Sequence, residues 1–126
     1  MTETTDDTLF SGRLTLRQAR RGHRAGTDAV LLASVIPADA RGLAIDSGAA
    51  SGAAGLMLAA RAPALRVDLV EIDPDEAALA SYNIAANGFA DRMRVINADL
   101  LAHEAARQEA GLMKEAAQII ITNPPY

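Results

Sequence analysis

Leu43-Ala44-Ile45-Asp46-Ser47-Gly48-Ala49-Ala50-Ser51-Gly52 is a short apolar run that ends in an acid and passes into a loop of small residues. A run of that kind followed by such a loop reads as a strand turning into a helix, and the apolar stretch from about Ala53 to Arg61 supplies the helix. The pattern then repeats. Arg66-Val67-Asp68-Leu69-Val70 is a second strand ending at Glu71; Pro74 suits the first turn of a helix that Asn87-Gly88 closes. Met93-Arg94-Val95-Ile96 is a third strand, followed by Asn97-Ala98-Asp99. Leu100 to Gln118 is read as a helix and Ile119-Ile120-Ile121-Thr122 as a fourth strand. Strands and helices alternating at this length imply βαβ units, a parallel sheet and an α/β, Rossmann-like fold.

Outside this repeat the chain is less regular. Residues 1–12 read as a mobile tail, and Leu14-Thr15-Leu16 as a short strand by alternation. Thr27 or Asp28 can cap a helix through Ala29-Val30-Leu31-Leu32-Ala33 that stops before Pro37. The expected organisation is a tail and basic segment over residues 1–26 and a partial cofactor-binding domain over residues 27–126.

Composition sets outer bounds. The chain has 126 residues, half of them hydrophobic, which is one domain's worth. It has no cysteine, so disulfides and thiolate metal sites are excluded, and His23 and His103 show no ligand-like spacing, so no metal is assigned. Met1 to Asp7 is acidic and polar rather than basic then apolar, unlike a signal peptide. The stretch Leu43–Ala60 is too polar and turn-rich for a membrane span, and a cytoplasmic protein is the default expectation. A net charge of −4 argues against non-specific coating of nucleic acid. Yet Arg13, Arg17, Arg20, Arg21 and Arg24 are five of the twelve basic residues and lie within twelve positions, a cluster able to contact phosphates; a solvated basic segment is the alternative.

In an open parallel sheet ligands sit at the carboxyl ends of the strands. Here those ends carry Asp46 with its glycine loop, Glu71, Asp99 and Asn123. A dinucleotide-binding loop needs Gly-x-Gly-x-x-Gly so that the backbone can approach a pyrophosphate. Counting from Gly48, this chain has Ala50 and Ala53 at the second and third glycine positions, and Asp46 lies where a carboxylate would repel a pyrophosphate. The same acid suits a cation. S-adenosylmethionine, with a sulfonium, an ammonium and no phosphate, fits; Glu71 suits the ribose hydroxyls and Asp99 the adenine amino group. Treated structurally, Asp46, Glu71 and Asp99 are caps and solvated loop acids.

The chain's last residues carry a second chemistry. In Asn123-Pro124-Pro125-Tyr126 the prolines fix φ near about −65° and remove backbone donors, while Asn123, preceding a proline, is pushed to an extended conformation. The Asn123 side-chain oxygen and the Pro124 carbonyl can accept both hydrogens of one –NH2 group, favouring a pyramidal, more nucleophilic nitrogen, and Tyr126 can stack on an extruded base. Asn-Pro and Pro-Pro are also common turn dipeptides.

Together, Asp46-x-Gly48-x-x-x-Gly52, Glu71, Asp99 and Asn123-Pro124-Pro125-Tyr126 resemble the class I S-adenosylmethionine-dependent methyltransferases that act on amino nitrogens. Phe10-Ser-Gly-Arg-Leu14, Gln18 and Arg24-Ala-Gly-Thr-Asp28-Ala-Val-Leu-Leu32 look more narrowly like the bacterial enzymes that modify the adenine amino group in the valine tRNA anticodon loop. The resemblance implies a sheet that is the first half, 3-2-1-4, of the family's 3-2-1-4-5-7-6 order, so that the remaining strands are expected on a longer protein. It implies that Asp46, Gly48 and Gly52 cradle the methionine portion, Glu71 the ribose, and Asp99 with Ala98 the adenine. Thr27 and Asp28 correspond to a segment closing over the cofactor; Asn123, Pro124 and Tyr126 would hold the target amine and its ring. The implied reaction is direct in-line methyl transfer to adenine N6 in tRNA, with positioning as the enzyme's contribution. Other acceptors of the wider family are a DNA adenine, an rRNA guanine, a protein glutamine amide and a small-molecule oxygen; a non-catalytic cofactor- or RNA-binding module is a further alternative. Ala50 departs from the family's usual second glycine, and its methyl would crowd the loop if its φ must be positive.

Overall fold

The computed structural model describes residues 3–9, 12–20, 34–99 and 119–122. Strands β1 (Thr4–Leu9) and β2 (Leu14–Ala19) form an antiparallel hairpin. Strand β3 (Gly42–Ser47) leads through the glycine loop into α1 (Ala53–Arg61), β4 (Leu65–Val70), α2 (Pro74–Ala86), β5 (Met93–Ile96) and β6 (Ile119–Thr122). The four later strands make one parallel sheet in the order β5-β4-β3-β6, the 3-2-1-4 order expected. The helices expected over 29–33 and 100–118 lie outside the described residues.

Alternation along the strands divides the sheet into two faces. Ala44, Val67, Leu69 and Ile121 join Leu56, Met57 and Leu58 of α1 and Ala80 and Ile84 of α2 in the main core. Ile45, Val70 and Ile96 form a second cluster on the other face. Each fully buried leucine or methionine of α1 contributes about 2 kcal/mol by area removed from water. The register also sets Asp68 beside Arg94, whose guanidinium makes two hydrogen bonds to the buried carboxylate at 3.1 and 3.0 Å. Arg92 closes the end of α1, donating to the carbonyls of Ala59, Ala62 and Leu65. Asp73 caps α2 through Asp75 N–H and Glu76 N–H, with Pro74 in the first turn as expected.

The reading of residues 1–12 as a mobile tail is overturned over Thr4–Leu9, which pairs residue by residue with β2. The strand that breaks the expectation is polar, Thr-Thr-Asp-Asp-Thr-Leu, and alternates exposed with half-buried positions; β2 supplies the apolar side, with Leu14 and Leu16 in the main core. The hairpin rests on α2 by an unusual device. Asn83 Oδ1 accepts the Arg17 N–H (2.7 Å) and its Nδ2 donates to the Arg17 carbonyl (2.8 Å); Asn87 does the same with Thr15 (2.9 and 2.8 Å). Two residues along a strand advance about 6.6 Å and four along a helix about 6 Å. That match lets two asparagines on one helical face act as a surrogate strand for the edge of β2.

Candidate functional site

The site forms where β3, β4 and β5 end. Gly48 (φ +71°), Ala50 (φ +50°) and Gly52 (φ +96°) all take left-handed backbone, folding the loop tightly between β3 and α1. Ala50 therefore stands where glycine is favoured, at a cost of about 1–2 kcal/mol. At Gly52 a side chain would also meet Leu69 Cδ1 at 2.9 Å, whereas at Gly48 a methyl would meet nothing within 4 Å.

The loop's amides are largely committed to the protein. Gly48 N–H and Ala49 N–H donate to the Val70 carbonyl at 2.9 and 3.0 Å, and Gly52 N–H to Ala49 at 2.9 Å. Ala50 N–H donates to Glu71 Oε1 at 2.7 Å, and Gly55 N–H to Asp46 Oδ2 at 3.1 Å. A loop that binds a pyrophosphate turns such amides toward the ligand. Here those of Gly48, Ala49, Ala50, Gly52 and Gly55 already have protein acceptors, and a carboxylate sits beneath the helix start.

That carboxylate is Asp46, 1% exposed, and its Oδ1 has no hydrogen-bond partner among the described residues. Burial pushes its pKa up to about 7, against the lowering effect of the Gly55 N–H and with a further raising contribution from the charge of Glu71. Such a shift corresponds to on the order of 4 kcal/mol of disfavoured charge. The group is thus an incompletely satisfied acid under the loop, and a nearby cation would relieve it. Gly55, which the sequence reading passed over, makes room for it: a methyl there would collide with Leu69 Cδ2 and lie 3.2 Å from Asp46 Oδ2. A glycine inside a helical run was the available signal.

Glu71, at the adjacent strand end, is fully engaged instead. Oε1 accepts from Ala50 and Oε2 from Asp73 N–H at 2.9 Å, so one carboxylate ties the loop to the start of α2. Asn97, which the sequence reading placed only as a neighbour, fixes the same turn by donating to the Glu71 and Ile72 carbonyls at 2.8 and 3.0 Å. Ile72 beside them is 61% exposed, an apolar surface at the strand ends. Ala98 is half-buried with its N–H on the Glu71 carbonyl (3.2 Å), and Asp99 is exposed just beyond. Asp46, Gly48, Gly52, Glu71, Ala98 and Asp99 thus all belong to the loop and residues at the carboxyl ends of β3, β4 and β5. Thr27, Asp28, Asn123, Pro124 and Tyr126 lie outside the described residues.

Of the arginine cluster, Arg17 is engaged within the hairpin. It forms a two-point ion pair with Asp6 (2.7 and 3.1 Å) and stacks 4.1 Å above the Tyr82 ring. Arg20 approaches Glu3 at 3.7 Å, and Arg13 is exposed. Arg21 and Arg24 are outside the described residues. Among the described residues no helix is long and apolar enough to cross a membrane.

A tRNA1(Val) (adenine(37)-N6)-methyltransferase of Porphyromonas gingivalis is 37% identical over 107 residues, 82% of this chain and 41% of the relative. One of the same name from Yersinia enterocolitica is 32% identical over 94% of this chain and 47% of the relative. This chain therefore spans less than half the length of these curated relatives. A crystal structure from Agrobacterium tumefaciens, described as a predicted O-methyltransferase, superposes with a TM-score of 0.70 at 39% identity, covering 78% of this chain and 49% of that one. The names differ in the atom methylated, but they agree on the group transferred. Residues 23–126 match the methyltransferase small domain family, and the chain belongs to that family.

Proposed function

We propose that the complete protein is an S-adenosylmethionine-dependent methyltransferase acting on an exocyclic amino nitrogen, with adenine N6 of a tRNA as acceptor. The observation that carries the cofactor assignment is Asp46: a carboxylate buried beneath the loop with one oxygen unpartnered among the described residues, at a place where the amides of Gly48, Ala49, Ala50 and Gly52 already have protein acceptors. When bound, S-adenosylmethionine supplies an electrophilic methyl on a sulfonium. Asp46 acts as a buried counter-charge to that cationic portion. Gly48 and Gly52 shape the turn, and Glu71 holds it while offering its remaining lone pairs to ribose hydroxyls. Ala98, Asp99 and the exposed Ile72 flank the adenine, and Thr27 with Asp28 closes over the cofactor.

The acceptor assignment rests on Asn123-Pro124-Pro125-Tyr126 and on the names of the adenine-N6 relatives. Asn123 and Pro124 accept the two amine hydrogens and Tyr126 stacks on the base. The arginines Arg13, Arg17, Arg20, Arg21 and Arg24 form the tRNA-facing segment. Arg17 contributes by holding the hairpin, since its guanidinium is already paired with Asp6. Residues 27–126 are the cofactor-binding part, with the N-terminal hairpin docked on it, and the location is cytoplasmic.

A second reading, transfer to a small-molecule oxygen, is favoured by the description of the Agrobacterium structure. Incubating the complete protein with methyl-labelled cofactor and tRNA from a strain lacking the enzyme, then digesting to nucleosides, separates the two. Label in N6-methyladenosine is expected. Label absent from tRNA but present on a hydroxyl of a small molecule would overturn the nitrogen assignment.

A further inference from the structure

Asn83 is 0% exposed on α2, and all of its polar atoms are used. Its Oδ1 accepts from Arg17 N–H, and its Nδ2 donates both to the Arg17 carbonyl and, at 2.8 Å, to the Ser51 carbonyl. The amide orientation is dictated by its partners, because two carbonyls require donors and one N–H requires an acceptor. Ser51 is the buried residue between left-handed Ala50 and Gly52. One side chain therefore joins the edge of the N-terminal hairpin to the centre of the cofactor loop. Asn87 is a natural control one turn away: it makes the same pairing with Thr15, but its remaining bond goes to the Asn83 carbonyl on its own helix.

We infer that Asn83 is a positioning residue for the cofactor loop, latching Ser51 to the docked hairpin so that hairpin and loop order together. This rests on the reading of the loop as an S-adenosylmethionine site. Neither Asn83 nor the Arg17 backbone is placed in contact with the cofactor; the residue acts through the Ser51 carbonyl. An aspartate at position 83 keeps the shape and the acceptor for Arg17 N–H, but loses the donors to both carbonyls. It sets a charge against the Ser51 oxygen.

The test uses the complete protein and S-adenosylhomocysteine as probe. Asn83→Asp is expected to weaken binding about tenfold by calorimetry and to raise the KM for the methyl donor more than it lowers kcat. Asn87→Asp, which also breaks hairpin docking, is expected to lower the melting temperature while leaving binding within about twofold. Equal weakening by both variants, in proportion to their lost stability, would mean a structural role only and overturn the inference. Because Asn83→Asp can fail to fold, the wild-type protein gives a second readout. In 15N-resolved spectra the Asn83 side-chain amide is expected to shift and gain exchange protection on saturation, while that of Asn87 stays still. Saturable binding with loop amides shifting and Asn83 unmoved overturns this inference alone. No binding of the probe at all overturns the functional reading and this inference with it.

Discussion

The ends of β3 and β4 lie side by side and each carries an acid, yet the two are used in opposite ways. At the end of β3, Asp46 is sealed under the loop with one oxygen bonded to Gly55 and the other to none of the described residues. At the end of β4, Glu71 has both oxygens on backbone amides and ties the loop to α2. The difference teaches that a fold can separate structural from electrostatic duty by controlling hydrogen-bond supply. Glu71 holds the loop's shape because its bonds are made. Asp46 leaves one oxygen unused, and an unsatisfied buried acid is an unfavourable state that a ligand can relieve.

The comparison breaks most severely at Glu71. Replacing it with alanine leaves the Ala50 and Asp73 amides without their acceptor, and charge-assisted bonds of this kind contribute about 1.5–3 kcal/mol each. Glu71→Ala is expected to lower stability by about 3 kcal/mol in urea titrations and to weaken cofactor binding about a hundredfold. Next comes Gly55→Ala, which pushes α1 off Leu69 and off the Asp46 carboxylate; a loss of about 2 kcal/mol is expected from the same titration.

Asp46→Asn sharpens the contrast rather than breaking it. An acid whose pKa is higher in the folded than in the unfolded chain stabilises the fold in its protonated form. For Asp46 that contribution is complete below about pH 4 and is lost as the pH rises through about 7. Asp46→Asn is expected to flatten this slope and to leave the protein about 1–2 kcal/mol more stable than wild type above about pH 7, as thermal melts across the range would show. The wild type is expected to bind the cationic cofactor up to about tenfold more tightly at about pH 8 than at about pH 6, a dependence the variant lacks. The smallest effect belongs to Ala50→Gly. It removes the left-handed strain at φ +50°, and an increase of about 0.5 kcal/mol is expected after the added freedom of the unfolded chain is offset.

Much of the framework around this contrast was legible in the residues before the structure. Strand-length apolar runs, Pro74 at a helix start and Asn87-Gly88 at its end are local signals, and β3 to β5 with both helices fell where those signals put them. The strain at Ala50 was also foreseeable, since a loop of this shape needs positive φ there. What escaped was set by partners distant in sequence. Thr4–Leu9 has no apolar alternation of its own and becomes a strand only against β2. Asn83 is a poor residue for a helix interior and Asn87 an ordinary helix-ending one, and their shared purpose appears only with Arg17 and Thr15 beside them, although an asparagine inside the helix at 83 was a visible oddity. The difference between Asp46 and Glu71 was likewise hidden: both are acids at strand ends, and only the amides around them tell them apart.

Calorimetric titration of the complete protein with S-adenosylmethionine, and in parallel with NAD, tests this account most directly. Saturable binding of S-adenosylmethionine with protons released near neutral pH, and none of NAD, is the result it predicts. Saturable binding of NAD with no heat from S-adenosylmethionine would contradict it.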